Sequence, residues 1–211
     1  NSALFSQKSF EFDGVNDSVR VGPSATSLGI NGAISISMWC KMPAGTVTVG
    51  PSLGGEDAAG GSNRNWGFIL VFNKLYFEHF NTDGTKTQCI DPTASTIQDG
   101  DWHHVMGTYS GTNDTNGLKL YIDGVLVNQK TTGSTGTRTA AQSFFIGAQG
   151  GSGTVYNWEG EIDDVAVFDE AKAIGDIWDG SGAPTDLSAE SGLVGYWRMG
   201  DGATWNGTNW M

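Results

Sequence analysis

Paired carboxylates are the first chemistry to test in a chain with 23 acidic side chains, and Glu161-Ile162-Asp163-Asp164-Val165 concentrates three of them. In a strand, alternation places positions 161, 163 and 165 on one face. Retaining glycoside hydrolysis needs two carboxyl groups ~5–5.5 Å apart, one as acid and one as nucleophile. Position 165 is Val and 166 is Ala, while Glu159 and Asp169 fall outside the motif. Glu161 therefore lacks an acid partner and catalysis is not expected. A second group, Asp13, Asn16 and Asp17, crowds one short turn, DGVND. Calcium takes several carboxylate or amide oxygens at ~2.3–2.6 Å, and the same residues equally build Asx turns that organise a hairpin; both readings stay open. His103 and His104 are neighbours and face opposite ways on a strand, with His79 remote, so they do not chelate one zinc ion. No serine sits in a G-x-S-x-G context, and the glycine-rich stretches lack the Lys-Ser/Thr of a phosphate loop.

Sugar binding needs a flat apolar ring beside groups that pair with hydroxyls. Trp66 follows the polar stretch Gly60–Asn65, with Asn63 and Arg64 beside it, and Tyr156 and Trp158 follow Gln149–Thr154. These five are the candidate contacts for a glycan or surface polysaccharide. The two tryptophans have a second reading, as residues that close one end of a core. Trp39 stands opposite the apolar row of its own strand, so it either covers a second buried layer or is exposed.

The elements that would position these residues are strands. Ile34, Ile36, Met38, Cys40 and Met42 alternate with Ser35, Ser37, Trp39 and Lys41, and Leu118, Leu120 and Ile122 alternate with Lys119, Tyr121 and Asp123. Asp123-Gly124 then leads into Val125-Leu126-Val127, a hairpin signal. Phe10 and Phe12 flank Glu11 in the same manner, and further strands are predicted at Val19–Val21, Gly67–Phe72, Lys74–Phe80, Trp102–Tyr109, Ser143–Ala148 and Glu161–Phe168. Many short strands with polar turns predict an all-β, two-sheet antiparallel sandwich. One short helix is predicted over Glu170–Trp178, capped by Asp169, lying across a sheet edge or sealing one end. Thr46–Asn65, Ser110–Gly117, Thr131–Gln142 and Gln149–Asn157 read as long polar loops.

Composition narrows the partners. With 211 residues the chain is long enough for one large sandwich, and 32 glycines are about twice the usual share of ~7%. A net charge of −12 repels polyanions, which argues against nucleic acid and heparin-like ligands and favours neutral sugars, proteins or cations. The longest apolar stretch, Trp66–Phe72, is far short of the ~20 residues that cross a bilayer, so membrane insertion is not expected. Cys40 and Cys89 form one bridge or none. The chain starts at Asn1 and stops at Trp210-Met211 without a turn or cap, as expected of a piece of a longer protein.

Three segments in order carry a resemblance: SFEFDGVNDSVRV at Ser9–Val21, GDWHHVMGTYSGTNDTNGLKLYIDG at Gly100–Gly124, and GEIDDVAVFD at Gly160–Asp169. They resemble the laminin G-like branch of the concanavalin A-like lectin/glucanase superfamily. That resemblance implies a jelly roll over residues 1–180, a linker at 181–192, and at 193–211 a closing strand or the start of a further repeat, since LVGYWRMGDG looks like an opening segment. It also implies that the opening turn and the late I-D-D strand approach one another, which makes Asp163 or Asp164 a further calcium ligand beside Asp13, Asn16 and Asp17. Laminarinase-like glucanases of this fold carry E-I-D followed by a second glutamate, which this chain lacks. The style of the sequence resembles surface proteins of bacteria and structural proteins of marine phages. Accordingly the expectation is a non-catalytic module that binds carbohydrate in adhesion, extracellular, on a cell surface or on a virion. The alternative is a structural or decoration domain of a viral particle or surface layer making contacts with protein neighbours, and a glucanase-like glycoside hydrolase ranks after it.

Overall fold

A computed structural model describes residues 8–21, 27–45, 49–56, 64–132, 135–139, 142–150 and 156–199. Among them thirteen strands form two antiparallel sheets. In chain order these are β1 (Phe10–Asp13), β2 (Val19–Val21), β3 (Ile34–Lys41), β4 (Val49–Glu56), β5 (Trp66–Val71), β6 (Lys74–Phe80) and β7 (Lys86–Ile90). They are followed by β8 (Trp102–Tyr109), β9 (Leu118–Ile122), β10 (Val125–Lys130), β11 (Phe144–Ile146), β12 (Glu159–Phe168) and, after a single helical turn α1 (Ile174–Ile177), β13 (Leu193–Trp197). The larger sheet runs β1-β12-β3-β8-β9-β10 and the smaller β2-β11-β4-β5-β6-β7. β12 has β3 along one side, while its other side is shared end to end: Glu159 to Ile162 pair with β1, and Val165 to Phe168 with β13.

Alternation decides the core. The β3 residues Ile34, Ile36, Met38 and Cys40 are fully buried against the smaller sheet's Phe68, Leu70, Phe77 and Phe144. Each such side chain removed from water contributes ~1.5–3 kcal/mol. Asp123 (φ 49°) and Gly124 (φ 75°) make the two-residue hairpin turn expected between β9 and β10, both in the left-handed region that this turn requires. On one flank Asn128 of β10 donates to the Ile90 carbonyl of β7 at 2.6 Å, drawing the two sheets' edges together. Cys40 and Cys89 are both free, each buried in a different sheet. Burial pushes both thiols up, Cys89 to about 12.

Two strands lie where loop or nothing was expected. β4 reads VGPSLGGE, a Gly/Pro-rich sequence with irregular pairing to β5. Its Gly55 is required by close approach, because a Cβ there would lie 2.4 Å from the Trp66 carbonyl oxygen. β7, KTQCI, carries one buried side chain and so little periodic signal.

The helix is shorter than predicted and sits elsewhere. Its first turn does not form at 170–173 because Ser35 Oγ donates to the Glu170 carbonyl and accepts the Lys172 N–H, each at 2.8 Å, holding the segment extended against β3. No side chain of Asp169 caps it; the carboxylate of Asp176 accepts the Ala173 N–H instead. The helical turn lies on the outer face of the larger sheet. There Ile177 and Leu187 join Met106, Tyr121, Ala166 and Phe168 in a second apolar layer. Trp39 belongs with that layer: Trp178 stacks on it at 5.4 Å, and the predicted wet side of β3 is thereby covered, leaving Trp39 5% exposed.

Candidate functional site

The second apolar layer covers only part of the larger sheet's outer face. Beyond it the face is open as a cleft of about 560 Å³, within the ~300–1,000 Å³ that small-molecule sites occupy. Its floor is Thr108 of β8 and Lys119 and Tyr121 of β9. Thr108 and Lys119 are direct cross-strand partners, and Tyr121 follows on the same face two residues on. One wall is the loop between these strands, with Ser110, Asp114 and Asn116 lining it. Hydrogen bonds hold that loop: Gly117 donates to the Asp114 carbonyl at 3.1 Å, and Asp114 Oδ2 accepts the Thr112 hydroxyl. Asn116 sits at φ 62°, a backbone region Asn tolerates. The opposite wall is the extended segment Ala171 to Ala173 with Ile174, held by Ser35.

The polar groups of the cleft fall in two sets. Lys172 is committed, bonding Glu190 at 2.8 Å and Glu170 at 3.2 Å. Asn116, Lys119 and Tyr121, in contrast, make no side-chain hydrogen bond or ion pair within the described residues. Burial raises the Tyr121 hydroxyl, which stays a donor at neutral pH. The cleft thus presents an amide, an ammonium and the phenol of a largely buried tyrosine, on β9 and the loop before it.

The residues singled out by sequence are not gathered there. Asn63 lies outside the described residues. Trp66 and Trp158 are 1% and 0% exposed, so neither offers a face to a sugar. Trp66 points inward from β5 and packs on Phe144 at 5.5 Å, and Trp158 lies in the core, with its backbone N–H donating to the Gly147 carbonyl at 2.7 Å. Both take the core-closing reading. Arg64 donates to Glu78 at 2.9 Å and is used there as an ion-pair partner. Tyr156 is half-buried, with its carbonyl accepting the Ser52 N–H, four residues along β4 from the Glu56 that pairs with Trp66. These residues do not form one platform.

Nor does the calcium set converge. Asp13 Oδ1 accepts the N–H groups of Val15 and Asn16, and Asp17 Oδ2 accepts that of Asp13 at 2.9 Å. These backbone donors hold the Asp13 carboxyl below its ordinary range. Asp13 pairs with Glu159, so Asp163 lies four residues further along β12, ~13 Å away at strand spacing, and does not reach the turn. Among the described residues no group of three or more His, Cys, Asp or Glu side chains is placed to hold a metal.

The E-I-D-D-V strand also departs from strict alternation. A bulge falls between Asp163 and Ala166, with Asp164 at φ 45°, so Val165 turns to the inner core while Glu161 and Asp163 face outward. Glu161 bonds Lys41 at 3.0 Å and accepts the Ser9 hydroxyl. The Ser9 bond first, then Lys41, lowers its carboxyl, keeping it ionised at neutral pH. The Asp164 carboxylate takes the Tyr196 hydroxyl. The two adjacent histidines have opposite fates. His103 bridges Asp123 at 2.7 Å and Asp99 at 3.0 Å and is pushed up to about 9, chiefly by Asp123; His104 is buried beside Ser37 and falls to about 4.

Residues 13–177 match a laminin G-type family model described as the concanavalin A-like lectin/glucanases superfamily. No curated protein matches the chain. Among solved structures it is similar to a Bacteroides ovatus protein named for an inferred carbohydrate-binding role, with a TM-score of 0.70 and 16% identity over 97% of this chain and 54% of that one. The mouse laminin alpha1 chain, domains LG4-5, gives a TM-score of 0.59 and 15% identity over 89% of this chain and 45% of that one. Domain 4 of a GH43 extracellular arabinanase from Geobacillus stearothermophilus, in complex with arabinotriose, gives 0.54 and 18% over 83% and 79%. The chain spans about half the length of the first two. At these identities the likeness is one of fold.

Proposed function

Since this chain belongs to the concanavalin A-like lectin/glucanases superfamily as a laminin G-type domain, we propose that it is a non-catalytic carbohydrate-binding module whose site is the cleft over β8 and β9. The observation that carries this is the set of uncommitted donors, Asn116, Lys119 and Tyr121, on the floor and wall of a cleft sized for a short saccharide. The names of the Bacteroides ovatus protein and of the arabinanase domain, the latter bound to arabinotriose, support the ligand class. A non-catalytic role is supported by Glu161, which is held as a carboxylate by Ser9 and Lys41, and by the bulge that sends position 165 inward, away from Glu161. Presentation on a cell surface or virion, within a larger protein, fits a domain of this family.

The test is a glycan array, with arabinotriose titrated in parallel, comparing the native chain with Asn116→Gly. Glycine keeps the left-handed backbone and removes the amide. The expected result is binding that falls at least tenfold in the variant with an unchanged melting temperature. A native chain that binds no saccharide on the array and no arabinotriose is not a carbohydrate module.

A further inference from the structure

Several of the cations are paired with carboxylates. Lys41 pairs with Glu161, Arg64 and Lys86 with Glu78, and Lys172 with Glu170 and Glu190. Lys119 is different: it is half-buried on the cleft floor, yet no carboxylate of the described residues lies within ion-pair distance. A half-buried ammonium without a counter-charge is placed to make a charge-assisted hydrogen bond to an incoming anion. Its neighbours favour the same kind of ligand. The Tyr121 hydroxyl and the Asn116 amide can both donate, and Asp114, the acidic residue among those lining the cleft, already accepts the Thr112 hydroxyl. A net charge of −12 repels a polyanion spread over the surface, but for one carboxylate seated in contact with Lys119 the acidic groups beyond ~8–10 Å are screened at physiological salt while that contact is not.

Resting on the carbohydrate-binding reading of this cleft, we propose that it selects an acidic saccharide, with the carboxylate of a uronic acid residue set against Lys119 Nζ and the Tyr121 hydroxyl and Asn116 amide taking adjacent sugar oxygens. Lys119 is then the specificity-determining residue, and the neutral part of the cleft orients the ring.

The experiment is an array that pairs uronate-bearing oligosaccharides with their methyl esters and with neutral oligosaccharides, followed by titration of trigalacturonate and its methyl ester. In the native chain the free acid is expected to bind at least tenfold more tightly than the ester. Lys119→Met should abolish that difference without moving the melting temperature, and Lys119→Arg should restore it. Equal affinity for acid and ester, a preference that survives in Lys119→Met, or signal confined to neutral glycans overturns acidic selection while leaving the carbohydrate module standing. An array with no signal at all removes both.

Discussion

The outer face of the larger sheet is used in two ways. Over β12 and β3 it is sealed: Phe168, Ala166 and Trp39 lie under Ile177, Leu187 and Trp178, and the two serines left beneath on β3 are hydrogen-bonded within the protein. Ser35 bonds both Glu170 and Lys172, and Ser37 bonds His104. Over Thr108 and Lys119, at the loop end of β8 and β9, the same face is open, and Asn116, Lys119 and the Tyr121 hydroxyl make no side-chain hydrogen bond or ion pair within the described residues. The smaller sheet and the inner core are common to both halves, so what separates them is the segment after β12 and how far it reaches. Polar groups on a sheet become structural where the chain returns to cover them, and become available to a ligand where it stops.

Substitution separates the halves. Truncating Phe168, fully buried in the sealed half, to Ala is expected to cost ~3–5 kcal/mol in urea unfolding, whereas Lys119→Met in the open half stays within about 0.5 kcal/mol. Comparable losses in the two variants would erase the distinction. Ser35→Ala should cost about 1–2 kcal/mol by leaving the buried Lys172 N–H unpaired, and, because that segment walls the cleft, it should also weaken saccharide binding. Unchanged affinity in that variant would show that the sealed half does not shape the open one.

Smaller still is the contrast between the neighbouring histidines, which alternation sends to opposite faces. His103, pushed up to about 9, adds stability that is complete below pH 6.5, where folded and unfolded chains both carry the proton. It is lost as pH rises from 6.5 to 9. His104, lowered to about 4 by burial in the sealed half, does the reverse, and stability falls as pH drops from 6.5 toward 4. Asp123 and Asp99 are 41% and 49% exposed, so the His103 contribution is on the order of 1 kcal/mol. Thermal melts of His103→Gln should lose the alkaline slope, and a proton titration by NMR should place His103 above His104; the opposite order would sink this assignment.

Much of the framework was legible because periodicity reports burial directly. The β3 row from Ile34 to Cys40 and the Asp123-Gly124 turn fall where alternation and turn chemistry put them. β4 escaped because its glycines serve the approach of two backbones, a requirement that composition alone renders as loop. Trp66 and Trp158 were ambiguous because a strand-end aromatic looks alike whether it faces a sugar or a core; their burial decides it. The cleft was half visible. Lys119 and Tyr121 stand on the polar side of β9, and Ser110–Gly117 reads as a polar loop. Its second wall depends on Ser35 reaching a segment 135 residues away, a contact that no local pattern encodes.

The strand pairing along β12 has a topological consequence. β13 runs from Leu193, opposite Phe168, to Trp197, opposite Val165, and β1 resumes in the same direction from Phe10, opposite Ile162, to Asp13, opposite Glu159. The two are consecutive pieces of one broken strand, and the break faces the bulge at Asp163 and Asp164. A short linker from the end of β13 to the start of β1, in place of whatever lies outside 10–197, would therefore close this span into a ring without disturbing the sheet. The polypeptide could then be opened at an exposed turn elsewhere and still fold as the same sandwich, a circular permutation that the architecture already anticipates.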